Sequence, residues 1–253
     1  MNGELHSICM LCSNDGATVK ETLDSVLTLS AFLPTEVVVA DNMSTDGSAK
    51  LLRQYRDGGL IKLVEKKCSR GEGRQLAFEA SSGAYILAHM DCDDLFSAKG
   101  VYALISSYHT NHEGNMIMTR RQDAREASNI TIAPRRMVEE LGGWRDLNWG
   151  EDWDLWARAY AAKKYSYVTY PSDDPPHLKI TVRERRYSGL SRGFDVRVEK
   201  YSDAIRARRE VFHQGESISL VQRLAYFGAK ARVAFRRDYL EPAPPPDFGE
   251  YST

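Results

Sequence analysis

The 253-residue chain has only four cysteines, although 42% of it is hydrophobic. That is too few for a disulfide framework and points to reduced thiols. No window holds about 18 consecutive apolar residues, so no membrane-spanning helix is expected. The opening MNGELHSICMLC lacks a basic start followed by a long apolar run, so no signal peptide is expected and a cytoplasmic location is. An excess of one charge is missing too: the formal net charge is −1, which gives no sign of a nucleic acid partner. No second cysteine pair stands at zinc-ligand spacing, which argues against structural zinc. Nor does a glycine-rich dinucleotide fingerprint follow the first strand, which argues against an NAD-dependent enzyme. Cys9 and Cys12 form a C-x-x-C, but they lie within SICMLC, an apolar run that reads as a strand. Redox pairs of that spacing usually sit at a helix N-terminus, so both are expected to be core residues.

The first half of the chain switches regularly between two periods. Apolar runs at 6–12, 36–40, 60–65 and 84–90 are short enough for buried strands. Between them lie helical patterns: Val19, Leu23, Val26 and Leu27, then Leu51, Leu52 and Tyr55, then GEGRQLAFEASSG. Strand–helix alternation with short connections predicts an α/β fold, a mostly parallel Rossmann-like sheet covered on both faces. Beyond it, helices are expected at 97–111, 135–141 and 150–164, and strands at 115–121, 129–134 and 165–170. The segment 181–240 carries 14 Lys/Arg against 7 Asp/Glu and should hold a basic loop and a C-terminal helical extension, with helices near 195–211 and 217–237. Residues 1–180 then form the catalytic domain, and 241–253 a Pro-rich tail.

In an open parallel sheet, ligands bind beyond the carboxyl ends of the strands. Asp15, Asp41, Asp91 and Asp93 all fall there. Asp91, Asp93 and Asp94 repel one another unless a cation joins them. A hard cation such as Mg²⁺ or Mn²⁺ takes carboxylate ligands together with a diphosphate. An aspartate-rich turn before the helix starting near Ser97 explains the same residues without any ligand. In SRGEGRQ, the glycines allow close backbone approach, and Arg70 and Arg74 can meet phosphate or base. Glu151 and Asp152 open a helix, where the N-terminal field favours carboxylates. His177 reads as a metal ligand or, more simply, as a surface histidine.

Four segments in order resemble family 2 glycosyltransferases, inverting enzymes of the A-type nucleotide-diphospho-sugar transferase fold. They are SICMLCSND, EVVVADNMSTDGS, GRQLAFEASSGAYILAHMDCDD and GGWRDLNWGEDWDLWARA, spanning roughly residues 5–170. The resemblance implies a UDP- or GDP-sugar donor and an acceptor hydroxyl on a glycan or lipid-linked sugar. It implies nucleotide contacts from Ser13, Asp15, Asp41, Arg74 and Asp91. It also implies Mn²⁺ or Mg²⁺ on Asp93 and Asp94, and Asp152 as general base with Glu151 beside it. Arg183, Arg185 and Arg186 correspond to a basic lid over the diphosphate. Leu11 and Ser13 stand where the family usually has Pro and Tyr, and Gln75 where Asn is common. The Q-x-x-R-W of processive members is missing, so a polymer synthase is not expected. A sugar-phosphate nucleotidyltransferase would carry a basic, glycine-rich signature where this chain has SNDGAT. A non-catalytic nucleotide-sugar-binding scaffold would not need Asp91, Asp93, Glu151 and Asp152 together.

In SLVQRLAYFGAKARVAFRR, Leu220, Leu224, Phe227 and Ala231 line one helical face, with Arg223, Lys230 and Arg237 on another. Such a helix suits either packing on the catalytic domain or peripheral contact with an anionic membrane through 217–237, on the inner face.

Overall fold

A computed structural model describes residues 3–121, 130–170, 175–180, 190–207, 219–236 and 240. Strand β1 (His6–Cys12) leads into helix α1 (Val19–Leu27) and a 3-10 turn at Thr28–Ala31. Then follow β2 (Thr35–Asp41), α2 (Ser48–Asp57), β3 (Lys62–Glu65), α3 (Arg70–Ala80) and β4 (Tyr85–Asp91). After these come β5 (Asp94–Phe96), α4 (Ala98–Asn111), β6 (Met116–Arg121), β7 (Thr131–Pro134), α5 (Arg135–Glu140), α6 (Glu151–Ala161), β8 (Tyr165–Tyr170) and β9 (His177–Ile180). The helices α7 (Leu190–Arg206) and α8 (Leu220–Arg236) complete the order.

Seven strands form one sheet in the order β3-β2-β1-β4-β7-β6-β8. β1, β2, β3 and β4 run parallel, whereas β7 is antiparallel to both β4 and β6. The expected α/β architecture is therefore present. Side chains alternate along each strand, so the sheet divides two cores. One holds Ile8, Met10, Leu23, Leu87 and Tyr108; the other holds Cys9, Ala77, Ile86, Trp144 and Trp156. Cys12 belongs to the first core and Cys9 to the second, so the C-x-x-C cannot act as a pair. Both are buried thiols, as expected of core residues.

Two features depart from the expectation. The first is a small second sheet in which β5 pairs antiparallel with β9. The second concerns the glycines of SRGEGRQ, which serve packing instead of ligand approach. A Cβ on Gly71 would lie 1.9 Å from the Arg145 carbonyl oxygen, and the Gly71 amide donates to the Leu147 carbonyl at 2.8 Å. A Cβ on Gly73 would meet Leu11 Cδ2 at 2.8 Å. Helix α3 is thereby pressed between β1 and the loop before α6.

The C-terminal helices pack on each other through Tyr201, Ala225 and Ala229, with Val198 and Tyr226 alongside. The basic loop at 181–189, with Arg183, Arg185 and Arg186, and the tail at 241–253 lie outside the described residues.

Gly71→Ala should destabilise the protein by about 1–3 kcal/mol, because the methyl group must displace backbone. Urea unfolding measures this; an unchanged midpoint would contradict the close approach.

Candidate active site

The loops after β1 and β2 are laced together by short polar side chains. The Ser13 amide donates to Asp15 Oδ2 at 2.8 Å, and the Asp15 amide donates to Ser48 Oγ at 2.9 Å. Asn14, in the left-handed region at φ 57°, accepts from the Thr45 amide at 2.7 Å. Asp46 accepts from the Gly16 amide and from Ser48. Burial opposes ionisation of Asp46, yet these donors outweigh it and lower its pKa. Asp41, at the end of β2, is fully buried. Its two oxygens accept from the Ser44 hydroxyl at 2.5 Å and the Ser44 amide at 3.0 Å. These bonds close the turn after β2.

The turn after β4 is held by its central residue. The Cys92 amide donates to the Leu11 carbonyl at 2.9 Å, and the Cys92 carbonyl accepts from Thr18 and Thr22 of α1 at 3.0 and 3.1 Å. With Cys92 locked inward, Asp91 and Asp93 stand partly exposed on either side of it. Asp94 belongs to β5 and faces β9, where His177 lies with Nε2 3.9 Å from Asp94 Oδ2. The reading of His177 as a surface residue is corrected: it is buried, and neither ring nitrogen has a hydrogen-bond partner among the described residues. Burial pulls its pKa down to about 4 against the pull of Asp91, so the ring is neutral with a lone pair to offer. Two buried, unpartnered imidazole nitrogens beside Asp94 fit a divalent cation better than they fit an inert core. Among the described residues, no three acidic, histidine or cysteine side chains yet converge into a metal cage.

The centre of the arrangement is Arg74, carried by α3 and almost fully buried. Its Nη1 donates to Asp91 Oδ1 at 3.2 Å, and its Nε lies 3.3 Å from Glu151 Oε1 and 2.9 Å from Asp152 Oδ1. Burial disfavours its charge, but Asp152, Asp91 and Glu151 outweigh burial and hold it firmly protonated. The two acids at the start of α6 then part ways. Glu151 is buried, and burial with the Asp152 charge pushes its pKa up to about 7. Asp152 is also penalised by burial, but Arg74 beside it holds its carboxyl below the ordinary value.

His89 is a site residue that the sequence reading missed. It sits at φ 64°, where β4 bulges against β1 between Ile8 and Met10. Its Nδ1 lies 2.7 Å from Thr131 Oγ1, and its Nε2 accepts from the Trp144 indole N–H at 3.3 Å. Trp156 donates to the same Thr131 hydroxyl at 2.9 Å. Asp152 Oδ1 lies 2.7 Å from His89 Nε2, and His89 helps Arg74 to hold that carboxyl below its ordinary value. The local signal was a histidine two residues before Asp91 inside an otherwise apolar strand.

The loop before α6 is fixed from both sides. Asp154, fully buried, pairs with Arg145 and with Arg158, whose Nη2 donates to the Gly143 carbonyl at 2.7 Å. Gly143, at φ 64°, lies against Gln75; a Cβ there would meet Gln75 Oε1 at 2.1 Å. That Gln75 oxygen accepts from the Trp144 amide at 2.9 Å. From α7, Asp203 accepts from the Asn148 and Trp149 amides at 2.9 and 3.2 Å. On α6, Trp156 is buried, while Trp153 and Tyr160 are exposed.

The mostly parallel sheet flanked by helices is the glycosyltransferase A-type fold. Glycosyl transferase family 2 matches residues 7–160, more than half the chain, and the protein belongs to that family. A poly-beta-1,6-N-acetyl-D-glucosamine synthase of Staphylococcus epidermidis is 24% identical over 107 residues, 42% of this chain. The match spans about a quarter, 26%, of that relative's length. Among solved structures, S. aureus TarS 1-349 in complex with UDP-GlcNAc superposes with a TM-score of 0.62 at 15% identity, covering 89% of this chain and 79% of that one. The mannosyltransferase PcManGT of Pyrobaculum calidifontis, in complex with GDP-Man and Mn²⁺, gives 0.58 at 18% identity, covering 94% and 76%. Glucosyl-3-phosphoglycerate synthase of Mycobacterium tuberculosis gives 0.58 at 18%, covering 85% and 84%.

The Glu151 shift has a pH signature. The native carboxyl keeps its proton up to about pH 7, the unfolded one only to about 4.5. Stability contributed by the protonated form is therefore full below 4.5 and lost as pH rises through 7. Relative to Glu151→Gln, the native protein should lose on the order of 1–2 kcal/mol between pH 5 and 7.5 in urea unfolding. Parallel curves for the two proteins would exclude the raised pKa.

Proposed function

We propose that the protein is an inverting glycosyltransferase that moves a sugar from a UDP- or GDP-sugar to an acceptor hydroxyl, with Asp152 as general base. The observation that carries this reading is the state of Asp152. Arg74 and His89 hold it ionised, and it stands partly exposed at the start of α6 on the same rim as Asp91. In a single displacement, the acceptor O–H passes its proton to Asp152 while the acceptor oxygen attacks the anomeric carbon. The bond from that carbon to the diphosphate breaks on the opposite face, and its electron pair leaves with the nucleoside diphosphate. His89, 2.7 Å from Asp152 Oδ1, fixes the orientation of the base. Thr131, Trp144 and Trp156 hold His89 in place for this.

Asp93, Asp94 and His177 would hold Mn²⁺ or Mg²⁺, which supplies charge neutralisation for the departing diphosphate when bound. Ser13, Asp15 and Asp41 would line the nucleoside side, Asp91 the ribose, and Arg74 the region between the nucleotide and the base. Arg183, Arg185 and Arg186 would close over the diphosphate. The nucleotide sugars in the TarS and PcManGT complexes, and the Mn²⁺ in the latter, support the donor class and the cation. The acceptor is a glycan or a lipid-linked sugar, and the missing Q-x-x-R-W favours single transfers over polymerisation.

Asp152→Asn should lower transfer by about 10²–10⁴-fold while donor affinity, read by calorimetry, stays within about twofold. Near-full turnover in that variant would place the base elsewhere. Donor binding should also depend on the cation. Titrating UDP- and GDP-sugars with Mn²⁺ and then with EDTA should show affinity lost in the chelator, and equal affinity in both conditions would sink the metal assignment.

A further inference from the structure

We propose that α8 docks the protein onto an anionic lipid bilayer surface. The helix is packed with its small side facing in. Ala225, Ala229 and Val233 are buried against α7. Leu220, Leu224, Phe227, Ala231 and Phe235 stand at i, i+4, i+7, i+11 and i+15, one continuous strip on the opposite side. Phe227 is 66% exposed and Phe235 92%, with Leu220 and Leu224 also more than half exposed. A helix that only needed to seal onto the catalytic domain would turn these side chains inward.

Charge complementarity identifies the occupant. Leu220–Arg236 contains no Asp or Glu. Arg223 and Lys230 flank the apolar strip on one side and Arg232 on the other, all three exposed. Two acids of α7, Glu199 and Asp203, are instead turned toward the loop before α6, where they accept from Asn148 and Trp149. An apolar strip between basic rims fits acyl chains beneath anionic headgroups. No helix among the described residues is long and apolar enough to cross a membrane, so the contact lies on the surface. The inference is independent of the chemistry assigned to Asp152.

Vesicle sedimentation of the full chain tests it. Vesicles of phosphatidylglycerol with phosphatidylcholine should carry the protein down at low salt and release it near 0.5 M salt, where the screening length falls to about 4 Å. Phosphatidylcholine alone should not retain it. Phe227→Glu with Phe235→Glu should cut the partition coefficient more than about tenfold. Arg223→Glu with Lys230→Glu should cut it about fivefold or more per residue. These side chains are exposed, so unchanged circular dichroism and donor affinity confirm intact folding. Failure to sediment with the anionic vesicles, or retention of binding by the phenylalanine variant, overturns the proposal. So does a concentration-dependent dimer in ultracentrifugation that Phe227→Glu abolishes, since a second copy then covers the face.

Discussion

One buried guanidinium organises the site. Arg74 reaches from α3 to Asp91 at the end of β4 and to both acids at the start of α6. A cation taken out of water is costly unless its partners are close and well placed. Three carboxylates around one arginine reverse the problem, since the acids outnumber it. The arrangement settles by splitting the two acids: the pKa of Glu151, the more deeply buried, rises to about 7, and Asp152 stays charged. A lysine could not replace Arg74, because only the planar fork presents Nε and Nη1 to different elements at once.

The helix positions follow from the need to deliver that arginine. Gly71 and Gly73 let α3 approach the Arg145–Leu147 backbone and β1, which brings Arg74 to the sheet edge. Asp154 holds the other side of the gap by pairing with Arg145 and Arg158, and Arg158 in turn fastens the Gly143 carbonyl. The first turn of α6 thus contains three acids with three different tasks. Glu151 is a proton holder, Asp152 an exposed-edge carboxylate and Asp154 a structural anchor. Their common sequence position at a helix N-terminus stabilises all three, so it cannot tell them apart.

The frame was legible because its signals are periodic. The strands through β4 and the helices between them follow apolar periods of two and 3.6, and the acids at strand ends follow from parallel topology. What sequence could not show depends on close or non-periodic contacts. β5 is three residues long and carries one of the cluster's aspartates, so it has no strand pattern to detect. Its partner β9 is only four residues long, so nothing in the sequence pattern shows that His177 is buried. His89 was hidden for a related reason: a bulge and a left-handed φ turn it out of the strand's alternation, toward Asp152. The glycines of SRGEGRQ were seen, but their purpose was misjudged, since a glycine admits backbone and ligand alike.

The same limit applies to the C-terminal pair, and there it connects packing to function. The apolar period of α8 was evident, but a period states only that a helix has a face. It does not state which way the face looks. Ala225 and Ala229 on the inner side allow α8 to sit close to α7, with Tyr226 packed alongside. Asp203, on α7, is raised in pKa by burial and still accepts from two amides of the loop before α6. The helix pair is therefore fastened to the site through α7, while α8 keeps its large side chains for something outside the chain. A packing demand would place size inward, and only an external surface accounts for placing it outward.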